Sequence, residues 1–201
     1  MLHKKITSIL VAATISTFFI ACNNNAKTTE ETTTDTVAVQ DVQPAPEQGV
    51  MVGGANMVPS KDIVDNAANS SDHTTLVAAV KAAGLVETLK GTGPFTVFAP
   101  TNEAFNKLPA GTVDNLLKAE NKTALTNVLT YHVVAGAFTS ANLKDGQKLT
   151  TVQGEELMIH YSNNQWMVHD AKGGKANITI ADVISSNGVT YVIDNVLMPK
   201  K

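Results

Sequence analysis

The stretch from Gly93 to Pro109, Gly-Pro-Phe-Thr-Val-Phe-Ala-Pro-Thr-Asn-Glu-Ala-Phe-Asn-Lys-Leu-Pro, leaves the chain few options. Phe95 to Ala99 is short, apolar and β-rich, which predicts a buried strand. Pro100 has no amide hydrogen to give to a ladder and stops that strand. Thr101 then suits the N-cap of a helix whose Ala104, Phe105 and Leu108 share one face, and Pro109 ends it. A core strand therefore turns a tight corner into an amphipathic helix, with the apolar residues of both directed at one core.

The surrounding pattern divides in two. Before Thr139 it is helical. Ser60 is placed to cap a short helix carrying Ile63, Val64 and Ala67. Ser71 or Asp72 starts a second with Leu76, Val77, Val80 and Ala83, and a further turn covers Leu85 to Leu89 beyond Gly84. Thr112 and Asn121 open helices over 113–119 and 122–130, and residues 131–134 turn to strand. After Thr139 the period shortens to that of strands: 148–152, 156–161, 166–170, 177–180, 189–193 and 196–198. Asn163-Asn164 suits a type I′ hairpin turn, because both central residues need φ > 0. Helices first and a strand meander after, with one early strand, predict an α+β domain.

Several segments resemble the fasciclin (FAS1) family in that family's order. These are Asp62-Ile63-Val64, the Gly93–Pro109 motif, a second motif from Asn127 to Gly136 containing Tyr131-His132, Leu143-Lys144-Asp145-Gly146, and the closing run from Ala181 to Pro199. The resemblance covers about 140 residues and implies a single FAS1-like domain over 59–201, a two-sheet β-wedge flanked by several α-helices. Asn102 stands where aspartate is common in the family, and Tyr191 where the closing motif usually has histidine.

The N-terminus has its own logic. His3, Lys4 and Lys5 precede an apolar run from Ile6 to Ile20, too short and too broken by Thr and Ser to span a bilayer, so residues 1–21 read as a signal peptide. The run closes on Phe19-Ile20-Ala21-Cys22, which resembles the lipobox of bacterial lipoproteins. That resemblance implies cleavage before Cys22 and acylation (palmitate among the chains) of the only cysteine, anchoring the protein to membrane lipid at the outer membrane of a bacterial cell envelope. Residues 22–58, rich in Thr, Asn, Glu and Pro, show no period and are expected to be a disordered tether reaching about 30–35 Å.

Composition removes several function classes. With a single cysteine the chain has no internal disulfide, no thiolate zinc site and no CxxC redox pair. All 15 cationic Lys/Arg positions are lysine, which argues against nucleic acid as a partner, since base and phosphate reading leans on the guanidinium fork. The domain lacks a nucleophile-elbow motif and a phosphate loop; Gly91-Thr92-Gly93 precedes a strand, not a helix. An enzyme is not expected, and neither is a cofactor.

Candidate binding residues remain, each with a structural reading beside it. Tyr131-His132 is similar to tyrosine–histidine pairs proposed as receptor contacts in animal members of the family, but at a helix-to-strand junction it equally suits internal hydrogen bonding. His160 and His169 fall diagonally on one face of the 156–170 hairpin, opposite Met167 and Met158. They are either its wetter face or a pair of metal-binding imidazoles, although no metal-ligand spacing motif is present. Tyr161 pairs with Trp166, either as a sugar-stacking platform or as cross-strand packing. Asp182 matches an Asp-Ile position implicated in integrin contact by animal relatives. The sequence thus predicts a lipid-anchored, non-enzymatic adhesion or interaction module with a protein or glycan partner at the cell surface. The second reading is a small-ligand or glycan-binding lipoprotein that uses the 156–170 hairpin.

Overall fold

The computed structural model describes residues 48–200. Cys22, the expected signal peptide and most of the expected tether lie outside the described residues. The chain begins with a two-stranded hairpin, β1 (Val50–Val52) and β2 (Ala55–Met57). Helices α1 (Ile63–Asn69), α2 (Thr74–Ala83) and α3 (Val86–Lys90) follow. Strand β3 (Phe95–Pro100) leads into α4 (Asn102–Asn106), α5 (Thr112–Leu116) and α6 (Lys122–Tyr131). The remaining strands are β4 (Val133–Ala135), β5 (Lys148–Thr150), β6 (Glu156–Ser162), β7 (Gln165–His169), β8 (Lys175–Ser185) and β9 (Gly188–Ile193).

Seven strands form one mixed sheet in the order β4-β3-β9-β8-β7-β6-β5. A bridge between Val134 and Thr151 brings the two ends of that order together, so the sheet is nearly closed. The α+β class holds, and the small hairpin supplies the second sheet. Strand β3 pairs in parallel with β9 and antiparallel with β4, which leaves it no free edge. At the start of the parallel pair, a Cβ on Gly188 would collide with the backbone carbonyl of Phe95, so only glycine lets the two strands approach this closely.

Being central, β3 serves two cores and not the single one its sequence suggests. Val97 and Ala99 pack with Ala104 and Phe105 among the helices, alongside Ile63, Leu76, Val80 and Leu129. Phe98 points the other way, into the sheet interior with Tyr131, Leu157, Ile159, Val168, Tyr191 and Ile193. Period-two alternation in a strand covered on both sides demands this split. Thr101 caps α4 as its sequence predicts, its hydroxyl accepting the Ala104 N–H at 3.3 Å. Asn102 explains its own departure from aspartate. Its Oδ1 accepts the Thr75 N–H at 3.0 Å in the first turn of α2, and its Nδ2 donates to the Ser71 carbonyl at 2.8 Å. A carboxylate could not make the second bond.

Several expectations shift. The expected tether stops short of residue 58, because residues 50–57 pair as a hairpin and bury Val52 and Met57 against Val183 and Val192. The cap of α1 is Asp62, whose Oδ1 accepts the Asp65 N–H at 2.7 Å, and not Ser60. Gly111 occupies the N-cap of α5, which ends at Leu116. Residues 196–198 are not a strand. Their amides find side chains instead: Leu197 N–H bonds to His132 Nε2, and Met198 N–H to Asp170 Oδ2. Strand β8 is longer than its alternation suggests. Two register shifts against β9, between Ile178 and Ile180 and between Ile180 and Val183, each add one residue and break the period that a sequence pattern needs.

Candidate functional site

The residues singled out in the sequence separate into a buried set and an outward set. Tyr131 is fully buried. Its hydroxyl accepts the Ala171 N–H at 2.9 Å and donates to the Glu156 carbonyl at 3.2 Å, joining α6 to the hairpin. His132, only 3% exposed, is pinned at both nitrogens. Nδ1 donates to the Val128 carbonyl at 2.8 Å and Nε2 accepts the Leu197 N–H at 3.0 Å. These partners fix the neutral tautomer with the proton on Nδ1. Burial holds its pKa down to about 4, so the ring is uncharged at neutral pH. The His132 carbonyl accepts the Phe98 N–H at 2.9 Å, tying the second motif to the first. Neither polar group of the pair faces solvent.

Asp182 is likewise engaged from within. It sits at φ 54 inside the second register shift of β8. Its carboxylate accepts the Ser140 N–H at 2.7 Å and the Ser140 hydroxyl, and the Tyr191 hydroxyl lies 3.2 Å from Oδ1. The same hydroxyl lies 2.8 Å from the Phe138 carbonyl. Burial, and then the neighbouring Asp182 charge, push the Tyr191 pKa far up, so the phenol stays protonated as a donor. Tyr191, on β9, thus joins Ser140 in tying the 138–140 loop to Asp182 of β8.

The outward set lies on β6 and β7. Asn163 and Asn164 take φ 51 and 61, the turn their sequence predicts, and the register follows: Tyr161 opposite Trp166, His160 opposite Met167, Met158 opposite His169. Tyr161 and Trp166 lie on the core-facing side at the hairpin tip, with ring centroids 4.7 Å apart. Trp166 packs against the sheet interior, while Tyr161 remains 43% exposed and its hydroxyl donates to Asn164 Oδ1 at 2.8 Å. The pair is mainly cross-strand packing, with one aromatic ring showing.

On the other face, the His160 and His169 rings approach to 4.2 Å between centroids. His160 Nδ1 lies 3.4 Å from Asp145 Oδ1. That carboxylate is held below its usual range, first by the Tyr161 N–H it accepts and then by His160. The His169 pKa is lowered, first by burial and then by His160 and Lys175. Among the described residues, His169 Nε2 is buried without a hydrogen-bond partner. Met158 and His169 border an open cleft of about 530 Å³ that also involves Lys148, Glu156, Asp170 and Lys200. A second cavity, about 40 Å³, is apolar and sits among Leu76, Val80, Val97, Leu129 and His132; it is a packing gap below the helices. Among the described residues, no group of three or more His, Cys, Asp or Glu side chains is disposed to hold a metal ion. No described helix is long and apolar enough to cross a membrane.

Asp145 and Asn187 were not singled out for these roles by sequence. Asp145 meets His160 only through the fold. Asn187 precedes Gly188 in the turn between β8 and β9, and its Nδ2 donates to the Leu89 and Gly91 carbonyls at 2.7 and 3.1 Å while its Oδ1 accepts the Ile63 N–H at 3.1 Å. An Asn-Gly turn reads the same whether its amide is solvated or buried, so no local signal distinguished the two.

Comparison with known proteins agrees with this architecture. A family model described as the Fasciclin domain matches residues 71–199. Protein sll1483 of Synechocystis is 46% identical over 164 residues, covering 82% of this chain and 87% of that protein. The cell surface glycolipoprotein MPB83 of Mycobacterium bovis is 40% identical over 138 residues, covering 66% of this chain and 58% of the relative. Among solved structures, the FAS1 domain pair of the insect cell adhesion molecule fasciclin I superposes with a TM-score of 0.63 at 19% identity, covering 70% of this chain and 52% of the pair. The chain belongs to the fasciclin domain family.

Proposed function

We propose that this chain is a lipid-anchored cell-envelope protein whose fasciclin domain is a non-enzymatic adhesion or interaction module. The observation that carries this reading is the internal engagement of the family's most recognisable polar residues. Tyr131, His132 and Asp182 spend their hydrogen bonds on the framework, which leaves contact with a partner to the outward hairpin and the loops beyond Thr139. The relatives support the placement: one is a cell surface glycolipoprotein, and the structural neighbour is a cell adhesion molecule. Acylation of Cys22 after removal of residues 1–21 would supply the anchor, at the outer membrane.

Two measurements test this. Cys22→Ser should move the protein from the membrane fraction to the soluble one, and its retention would contradict the anchor. Deletion of the protein should reduce cell attachment or aggregation, and unchanged behaviour across conditions would remove adhesion.

The exposed ring of Tyr161 over Trp166 supports a second reading, a small-ligand or glycan site at the hairpin tip. Oligosaccharide titration followed by the fluorescence of Trp166 tests it, and a flat response for every sugar overturns it.

A further inference from the structure

We infer that the outer face of the β6–β7 hairpin is a binding site for a soft monovalent d¹⁰ cation, Cu(I) or Ag(I), built from His160, His169, Met158 and Met167. This does not rest on the adhesion reading.

The register sets the four side chains in a two-by-two square on one face, each methionine directly opposite a histidine. Directly opposed Cβ atoms lie about 4.5–5.5 Å apart, within the reach of both side-chain types. Along one diagonal the imidazoles already meet at 4.2 Å between centroids.

The state of each ring suits ligation. His160 directs Nδ1 at the Asp145 carboxylate, the outer contact that orients a metal-bound histidine and leaves Nε2 as the ligand. His169 Nε2 is buried with no hydrogen-bond partner among the described residues, a cost that coordination would remove. The open cleft beside Met158 and His169 gives an ion a route in.

The donor set selects the ion. Two imidazoles and two thioethers lack the anionic ligands that zinc or a hard divalent cation would draw from Asp, Glu or Cys, and no such cluster exists among the described residues. Thioethers favour Cu(I), and imidazole accepts it as well.

The test uses the full chain with Cys22→Ser, so that its thiol does not compete. Cu(I) is presented in competition with bicinchoninate under anaerobic reducing conditions, with Ag(I) and Zn(II) titrated in parallel. One equivalent of Cu(I) should be taken from the chelator, and His160→Ala/His169→Ala should lose it. Met158→Leu/Met167→Leu, which preserves volume, should weaken Cu(I) binding while retaining the thermal unfolding transition. Asp145→Asn should weaken it by about 10–100-fold. If the histidine variant lacks a thermal transition, the methionine variant decides. No Cu(I) uptake, uptake indifferent to the methionines, or Zn(II) held as tightly as Cu(I) would each overturn the assignment.

Discussion

His132 Nε2 accepts the backbone N–H of Leu197 at 3.0 Å, across 65 positions of sequence. That contact binds the C-terminal segment to the junction of α6 and β4, and it requires an unprotonated nitrogen. A proton on Nε2 would set two donors against each other in a site without water's dielectric.

The fold should therefore lose stability in mild acid. The His132 pKa is about 4 in the fold, below the ordinary value of about 6.5 in an unfolded chain. Between those values the unfolded chain binds the proton and the folded one does not, so stability rises with pH across the window. The contribution is complete above pH 6.5 and disappears as pH falls towards 4, amounting to about 3 kcal/mol. His73, also lowered by burial, acts in the same direction. Urea unfolding at pH 7 and 4.5 should show the loss, and His132→Asn should be less stable at pH 7 with a shallower pH dependence. An unchanged slope in that variant would refute the role.

Tyr131→Phe should cost about 1–3 kcal/mol, because it removes both hydrogen bonds of a buried hydroxyl, one from the Ala171 N–H and one to the Glu156 carbonyl. The same substitution at exposed Tyr161 should cost well under 1 kcal/mol. Equilibrium denaturation of the two variants side by side distinguishes a framework tyrosine from a surface one.

Asn187→Ala should destabilise by about 3 kcal/mol, since it removes bonds to Ile63, Leu89 and Gly91 at once. Asn187→Asp keeps an acceptor for Ile63 and loses both donors, so it should fare no better. A thermal midpoint unchanged in both variants would contradict this account of the turn.

The N-terminal hairpin should prove part of the domain. A chain beginning at residue 48 should keep the full thermal midpoint, whereas one beginning at residue 59 uncovers Val183 and Val192. Met57→Ala alone should cost about 2–5 kcal/mol, and each kcal/mol should lower the midpoint by about 2–4 °C at this chain length. Equal midpoints for the two truncations would return residues 50–57 to the tether.

What the sequence determined by itself was whatever depends on near neighbours. Phe95 to Pro109 carries its strand, corner and cap locally, because Pro100 and the Thr101 hydroxyl act within a few residues. The Asn163-Asn164 turn fixed the hairpin register, and with it the Tyr161–Trp166 and histidine–methionine pairings, since two adjacent positive φ values admit essentially one connection. What only the tertiary structure decided was long in range. The parallel pairing of β3 with β9 split one expected core into two. The β1–β2 segment is short and broken by Gly53-Gly54, so it passes for tether, and it became a hairpin only where β8 and β9 offered Val183 and Val192 to cover. Asp145 reached His160, and Leu197 reached His132, for the same reason. A side chain's partner across the fold is set by where the backbone returns, and no local period records that.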